Sequence, residues 1–149
     1  MTSEGIRPPP ELSGALVVDA TLFRLLLEME VRKAQRLRYC LSIVCLKGRF
    51  PSLADTSWES LASIVARRIR ATDVAAARGR DGVALLLVDA DIPTLPTILR
   101  RVIADFESVP WSAGAASYPK SGSNPGELLE QADGMLLEVE RDGGSGLRP

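Results

Sequence analysis

The chain has 149 residues, a formal net charge of −1, 46% hydrophobic and 25% charged residues, and no histidine. These values are typical of one soluble domain, and they argue against wholesale binding to a phosphate backbone. The lack of histidine removes the usual general base, metal ligand and near-neutral pH switch. No apolar run approaches the ~20 residues of a membrane span, and no secretory signal is recognisable. We therefore expect a cytoplasmic protein that binds neither nucleic acid nor a membrane.

The N-terminal part of the chain is predicted to be an arm followed by a helix and a strand. Residues 1–18 begin polar and include three consecutive prolines, which favours a flexible N-terminal arm. Asp19 is a good N-cap for a helix that runs to about Arg38, because leucines follow it at helical spacing. The next run, YCLSIVCL at 39–46, has almost no polar residue and predicts a central strand.

The middle of the chain is predicted to contain a helix and a β-hairpin. A loop with Pro51 precedes the helix, and arginines at its end complement the helix dipole. An Asp81-Gly82 pair then lies between two apolar runs, which is a strong hairpin signal. The run Val83–Val88 carries no polar residue, so we expect a strand that is buried on both faces.

Three elements and a tail are predicted after the hairpin. Apolar residues at helical spacing begin near Leu95, and they are followed by the run WSAGAASY at 111–118. The small residues of that run predict a strand against which another element packs closely. Residues 128–139 have the pattern of an amphipathic helix with an acidic face, and residues 145–149 are expected to be a flexible tail.

The order of these elements predicts an α+β fold. A β-α-β-β-α-β core flanked by a helix at each end is the ferredoxin-like arrangement, an antiparallel sheet with helices packed on it. We expect a single domain from residue 19 to 144, between the arm and the tail.

Three segments of the chain resemble the GGDEF domain, the diguanylate cyclase family that makes cyclic di-GMP from two GTP. LSIVCL is similar to the family's first strand, and WSAGAASYPKSGSNPGELLEQADGMLLE is similar to its last strand and helix. LASIVARRIRATDVAAARGRDGVALLL resembles the helix, strand and signature hairpin. The resemblance covers residues 19 to about 144, and it implies the family's palm-like fold.

The chain departs from the family at the catalytic signature, which reads GRDGV at Gly79–Val83. Arg80 replaces the second glycine and Gly82 replaces the glutamate, so only Asp81 keeps an acidic side chain. Lys47 stands where the family has a metal-binding aspartate. The resemblance therefore implies a degenerate GGDEF domain.

Three further departures concern the nucleotide. The loop at 50–55 is shorter than the family's base-recognising loop, Arg49 replaces a second aspartate, and Glu140 replaces a triphosphate-binding lysine. Phosphoryl chemistry needs Mg²⁺ and cations to neutralise the developing charge. Lys47 would repel the metal and Glu140 the triphosphate. We therefore expect no cyclase activity, no catalytic residues, no metal site and no cofactor.

One part of the family's chemistry is retained in the sequence. Many GGDEF domains have a product-binding inhibitory site with the pattern Arg-x-x-Asp, five residues before the signature, and Arg70 and Asp73 match it. The family's supporting arginine corresponds to Arg101. An arginine can bind a phosphate or the O6/N7 edge of guanine by two hydrogen bonds, and a carboxylate can accept from guanine N1–H. The alternative to ligand binding is a purely structural role for each residue, in which Arg70 is a cation at a helix terminus and Asp73 is a turn residue.

The resemblance leaves two functions open. The first is a cyclic di-GMP receptor that uses Arg70, Asp73 and Arg101 and regulates a protein partner or its own oligomerisation. The alternative is a ligand-independent interaction scaffold in a bacterial signalling pathway. Its support is the charge distribution, because the segment 24–49 holds seven Lys/Arg and two Glu whereas the last helix is acidic. That opposed charge could also drive homodimer formation. We do not expect an enzyme of another kind, because the chain has no histidine and no pair of acidic residues placed to bind a metal ion.

Overall fold

A computed structural model describes residues 14–48, 58–79, 81–104, 110–143 and 146–149. Within these ranges it contains six strands and four α-helices. In chain order they are β1 (Leu16–Val18), α1 (Ala20–Leu37), β2 (Leu41–Gly48), α2 (Trp58–Ala66), β3 (Val74–Arg78), β4 (Gly82–Val88), α3 (Leu95–Val102), β5 (Trp111–Tyr118), α4 (Pro125–Arg141) and β6 (Gly146–Arg148).

The strands form one sheet in the order β1-β3-β4-β2-β5-β6. The inner four strands pair antiparallel, which is the predicted ferredoxin-like core. The outer two are parallel to their neighbours, so the sheet is mixed. The predicted α+β fold class is confirmed.

Both edge strands correct the predicted domain boundaries. Leu16 pairs with Val74, so residues 16–18 belong to the sheet and are not part of an arm; residues 1–13 of the predicted arm lie outside the described residues. Gly146 pairs with Ser112, so residues 146–148 of the predicted tail also form a strand. Arg148 further ties that strand to α4 through ion pairs with Glu138 and Asp142. Both strands are only three residues long, too short for a recognisable alternating pattern.

The helices cover both faces of the sheet. Helices α1 and α4 pack on one face, around Phe23, Leu27 and Leu128, and α2 and α3 pack on the other. The central strand β2 alternates between these two cores, as predicted for a strand without polar interruption. No helix in the described ranges has both the length and the apolar composition to span a membrane.

The hairpin and the close helix contact occur where the sequence predicts them. In the hairpin, Arg78 pairs with Gly82 across a three-residue connection, and Gly79 there has φ +71°. The left-handed residue is thus Gly79, whereas Gly82 already belongs to β4. At the centre of β5, a Cβ on Gly114 would lie 2.2 Å from two backbone atoms of α4, so only glycine permits this approach.

Candidate functional site

The predicted ligand residues Arg70 and Asp73 form the corner between α2 and β3. The Asp73 carboxylate accepts a hydrogen bond from Arg70 N at 3.0 Å and another from Val88 N at 2.8 Å, one on each oxygen. Its side chain is only 3% exposed. Burial raises the pKa of Asp73, and the two backbone N–H bonds act in the opposite direction. Asp73 therefore serves as an internal cap that joins the corner to β4.

The Arg70 side chain lies on the outside of the same corner. Its Nη2 donates to Val88 O at 2.6 Å, and its Nε is 3.9 Å from Asp73 Oδ2. The side chain is 56% exposed. A guanidinium has five N–H donors, and Val88 O uses one of them. One end of the Arg70 guanidinium is thus fixed to the backbone of β4, and its other N–H groups remain for a further acceptor.

Arg101 is exposed on α3, on the same side of the sheet as α2. Among the described residues, no hydrogen bond or ion pair joins it to Arg70 or Asp73. The structure therefore joins Arg70 to Asp73, whereas Arg101 is an exposed side chain with no bond to either of them in the described part of the chain. The ligand-binding roles of all three residues stay predictions.

A second site lies where β2, β5 and the end of α4 meet. Lys47, Asp81, Trp111 and Glu140 contribute to a pocket of about 370 Å³. Lys47 Nζ is 3.5 Å from Glu140 Oε2, and both side chains are partly exposed. Relative to the family that the sequence resembles, the charge is reversed at both Lys47 and Glu140. The sequence alone assigns a separate effect to each change, on the metal and on the triphosphate, whereas in the structure the two side chains form one ion pair.

The side chains at this pocket do not fit a magnesium ion. Mg²⁺ prefers carboxylate and water oxygens in octahedral geometry, but of the two carboxylates in the pocket lining, Asp81 and Glu140, the second is paired with the Lys47 ammonium group. Within the described ranges, no group of three or more Asp, Glu or Cys side chains could hold a metal ion.

An ion pair beside this pocket ties the hairpin to α4. Arg78 donates to both oxygens of Asp133, at 2.6 and 3.1 Å, and also to Cys45 Sγ at 3.1 Å. This two-bond geometry is the strong form of an arginine–carboxylate pair. Burial, together with Asp133, raises the pKa of Cys45 to about 12, so the thiol is protonated near neutral pH. Arg78 and Asp133 are 55 residues apart in the chain, so no local sequence pattern indicates this pair.

The comparisons with known proteins concern the fold. No protein-family model matches the chain, and no curated protein matches it. Solved structures do match. The GGDEF domain of YfiN (TpbB) from Pseudomonas aeruginosa is 22% identical with a TM-score of 0.76, over 88% of this chain and 94% of that one. The chain thus has the GGDEF domain fold, as the resemblance implied.

Two other matches were solved as complexes. The GGDEF domain of DgcB from Caulobacter crescentus, in complex with cyclic di-GMP, is 18% identical with a TM-score of 0.70, over 95% of this chain and 93% of that one. The diguanylate cyclase SiaD from Pseudomonas aeruginosa, in complex with its activator SiaC, is 21% identical with a TM-score of 0.71, over 96% of this chain and 61% of that one.

Proposed function

We propose that this protein is a non-catalytic GGDEF-fold domain that binds cyclic di-GMP through Arg70 and regulates a protein partner. The observation that carries the proposal is the position of the Arg70 guanidinium, which is exposed and donates to Val88 O within a retained Arg-x-x-Asp corner. The match to a cyclic di-GMP complex and the match to an activator complex support the ligand and the protein partner, respectively.

The non-catalytic part of the proposal is supported by the Lys47–Glu140 ion pair. A cyclase on this fold would need carboxylates for metal at the end of β2 and a cation for the triphosphate near the end of α4. The chain has the opposite charge at each position, and the two side chains neutralise one another. The pair therefore supplies neither a carboxylate for the metal at the end of β2 nor a cation for the phosphates near the end of α4.

In the receptor proposal, the three predicted site residues have different roles. Arg70 contacts the ligand, because its fork can take a phosphate or the O6/N7 edge of a guanine. Asp73 acts as a positioning residue, since backbone N–H groups already occupy both of its oxygens. Arg101 supplies a second cation or a stacking plane. Neither a metal nor a base catalyst is required.

The second candidate function is the ligand-independent interaction scaffold. The specific observation in its favour is the burial of Asp73, whose role as a cap explains its presence without any ligand. In that case Arg70 is a plain surface cation, and protein contacts are the only output of the domain.

A thermal-shift experiment with cyclic di-GMP separates the two functions. A ligand that binds only the native state stabilises it by ~2.7 kcal/mol at a hundredfold excess over its dissociation constant. For a domain of this size, that is an increase in Tm of about 5–10 °C. We expect the shift in the wild type and in Lys47→Ala, and we expect Arg70→Ala to lose it. No shift in the wild type favours the scaffold.

The absence of catalysis is tested separately with GTP and Mg²⁺. We expect no cyclic di-GMP product from the wild-type protein by chromatography, with an active diguanylate cyclase as the positive control. Formation of cyclic di-GMP above the protein-free background would contradict the non-catalytic part of the proposal. It would leave the binding result at Arg70 unaffected.

A further inference from the structure

A cavity of about 220 Å³ lies between the start of α1, helix α4 and the sheet. We call it the alanine cavity, because its floor is formed by Ala76 of β3 and Ala84 of β4, which pair directly across the two strands. The next pair on the same face is the larger Val74 and Leu86. Two facing alanines cannot fill the space that larger side chains occupy beside them, so a void remains between this part of the sheet and the helices.

Both helices contribute to the walls of the alanine cavity. Phe23 of α1 and Leu129 of α4 provide apolar side chains, and Thr21 and Arg24 line the cavity from the first turns of α1. Thr21 and Arg24 are exposed, whereas Phe23 is buried. The cavity therefore has an apolar interior and a polar rim, which is the arrangement typical of small-molecule sites.

Two arginines line the cavity, and their surroundings differ. Arg78 already donates to both carboxylate oxygens of Asp133. The Arg24 side chain forms no hydrogen bond or ion pair within the described part of the chain. Its Nη2 is 4.0 Å from the position that a Cβ on Gly126 would take, so the guanidinium extends from α1 to the first turn of α4. A cation with free donors thus lies at the rim of an apolar cavity.

We propose that the alanine cavity binds a small aromatic carboxylate, with its ring between Phe23 and the two alanines and its carboxylate on Arg24. The volume fits this class of ligand. An engineered apolar cavity of about 150 Å³ binds benzene, so the alanine cavity has room for one or two fused rings. A guanidinium binds a carboxylate by two parallel hydrogen bonds, and Arg24 has both donors available.

The lining favours this class over other ligands. A flat ring stacks against Phe23 and loses little conformational freedom on binding, whereas a flexible acyl chain loses more. Arg24 would repel an organic cation. The carboxylate of Asp133, which is paired with Arg78 beside the cavity, opposes a second negative charge on the ligand. A ligand with one ring system and a single negative charge therefore fits best.

Entry to the cavity depends on the same arginine. Phe23, Ala76 and Ala84 are 3%, 1% and 1% exposed, so the interior is covered from solvent. The long Arg24 side chain is exposed at the rim, and no bond holds it within the described residues. In the proposed site it moves aside to admit the ring and then binds the carboxylate.

The first test is a titration of isotopically labelled protein with naphthoate, followed by two-dimensional NMR. We expect saturable shifts of the backbone amide signals of Ala76, Ala84 and Leu129, with a dissociation constant below about 1 mM. The matched ligand is naphthalenemethanol, which has the same rings and no charge, and we expect it to bind at least tenfold more weakly.

Two outcomes of this titration overturn the proposal. One is the absence of saturable shifts in α1, β3, β4 and α4. The other is equal binding of the acid and the alcohol, which would indicate a plain apolar cavity of the kind that a partner's side chain could fill.

The second test changes the rim and the floor. Arg24→Gln keeps a polar side chain without the charge, and we expect it to weaken naphthoate binding at least tenfold and to leave the alcohol unaffected. Arg32→Gln is the matched control, because Arg32 is exposed on the same helix but does not line the alanine cavity. Ala84→Val adds two methyl groups to the floor, and we expect it to weaken the binding of both ligands.

Arg24 is a surface residue, so its variant tests the site whether or not the floor tolerates a larger side chain. Naphthoate binding by Arg24→Gln at the wild-type dissociation constant, or by a folded Ala84→Val protein at that constant, overturns the proposal. The alanine cavity lies on the face of the sheet that α1 and α4 cover, whereas Arg70 follows α2 on the other face. The titrations contain no cyclic di-GMP, so their outcome is independent of the receptor function.

Discussion

Replacing Asp73 with asparagine removes one of the two acceptors that hold the corner between α2 and β3. The carboxylate receives N–H bonds from the backbone of Arg70 and Val88, one on each oxygen. Asparagine keeps only one oxygen, so one of these N–H groups would face an amide NH₂. Because the side chain is 3% exposed, water cannot readily replace the lost acceptor.

The expected cost follows from this geometry. A hydrogen bond to a charged group contributes about 1.5–3 kcal/mol, and relief of the buried charge returns part of this. We expect Asp73→Asn to lower the free energy of unfolding by about 2 kcal/mol. With a urea m-value of about 2 kcal/mol/M, the midpoint of urea unfolding would fall by about 1 M.

The matched control is Asp81→Asn in the hairpin connection. The Asp81 carbonyl accepts from Gly48 N, and asparagine keeps that bond. We expect this variant to stay within about 0.5 kcal/mol of the wild type. If Asp73→Asn also unfolds at the wild-type urea concentration, the carboxylate is not an internal cap. The assignment of Asp73 as a positioning residue would then be wrong.

Two further predictions concern packing and ionisation. Gly114→Ala is expected to lower the free energy of unfolding by about 3 kcal/mol in urea unfolding, because the new Cβ would meet the α4 backbone at 2.2 Å. Gly134→Ala, in open space on α4, should instead stabilise by about 0.5–1 kcal/mol, and equal effects would refute the close contact. Burial raises the pKa of Cys45 to about 12. The protonated thiol therefore stabilises the native state in full below the ordinary thiol pKa, and this stabilisation is lost as the pH rises toward 12. Cys45→Ala should reduce the slope with which the free energy of unfolding falls at alkaline pH by about 1.4 kcal/mol per pH unit. In the native protein, Cys45 should also be alkylated more slowly than the half-buried Cys40, and equal rates would contradict this.

The parts of the fold that depend on local pattern were predictable from the sequence. The strand at Trp111–Tyr118 has the predicted bounds, and Asp19 caps α1 by accepting a hydrogen bond from Leu22 N at 2.8 Å. These features arise from side chains within a few residues of one another, which a sequence pattern records directly.

The parts that depend on distant partners were not predictable. Strand β1 exists because Leu16–Val18 lies against β3, and nothing in three residues indicates that partner. The Lys47–Glu140 pair joins residues far apart in the chain. Relative to the family, the charge changes in opposite directions at these two positions, and this sequence signal could have suggested the pair. Likewise, the spacing of Arg70 and Asp73 cannot distinguish a ligand-binding carboxylate from a buried one that caps backbone N–H groups.

The most direct test of the receptor function is calorimetric titration of cyclic di-GMP into the wild-type protein and into Arg70→Ala. We expect a saturable heat with a micromolar dissociation constant for the wild type and no heat for the variant, with both proteins equally stable to urea. Absence of heat in the wild type, or equal binding by both proteins, would contradict it.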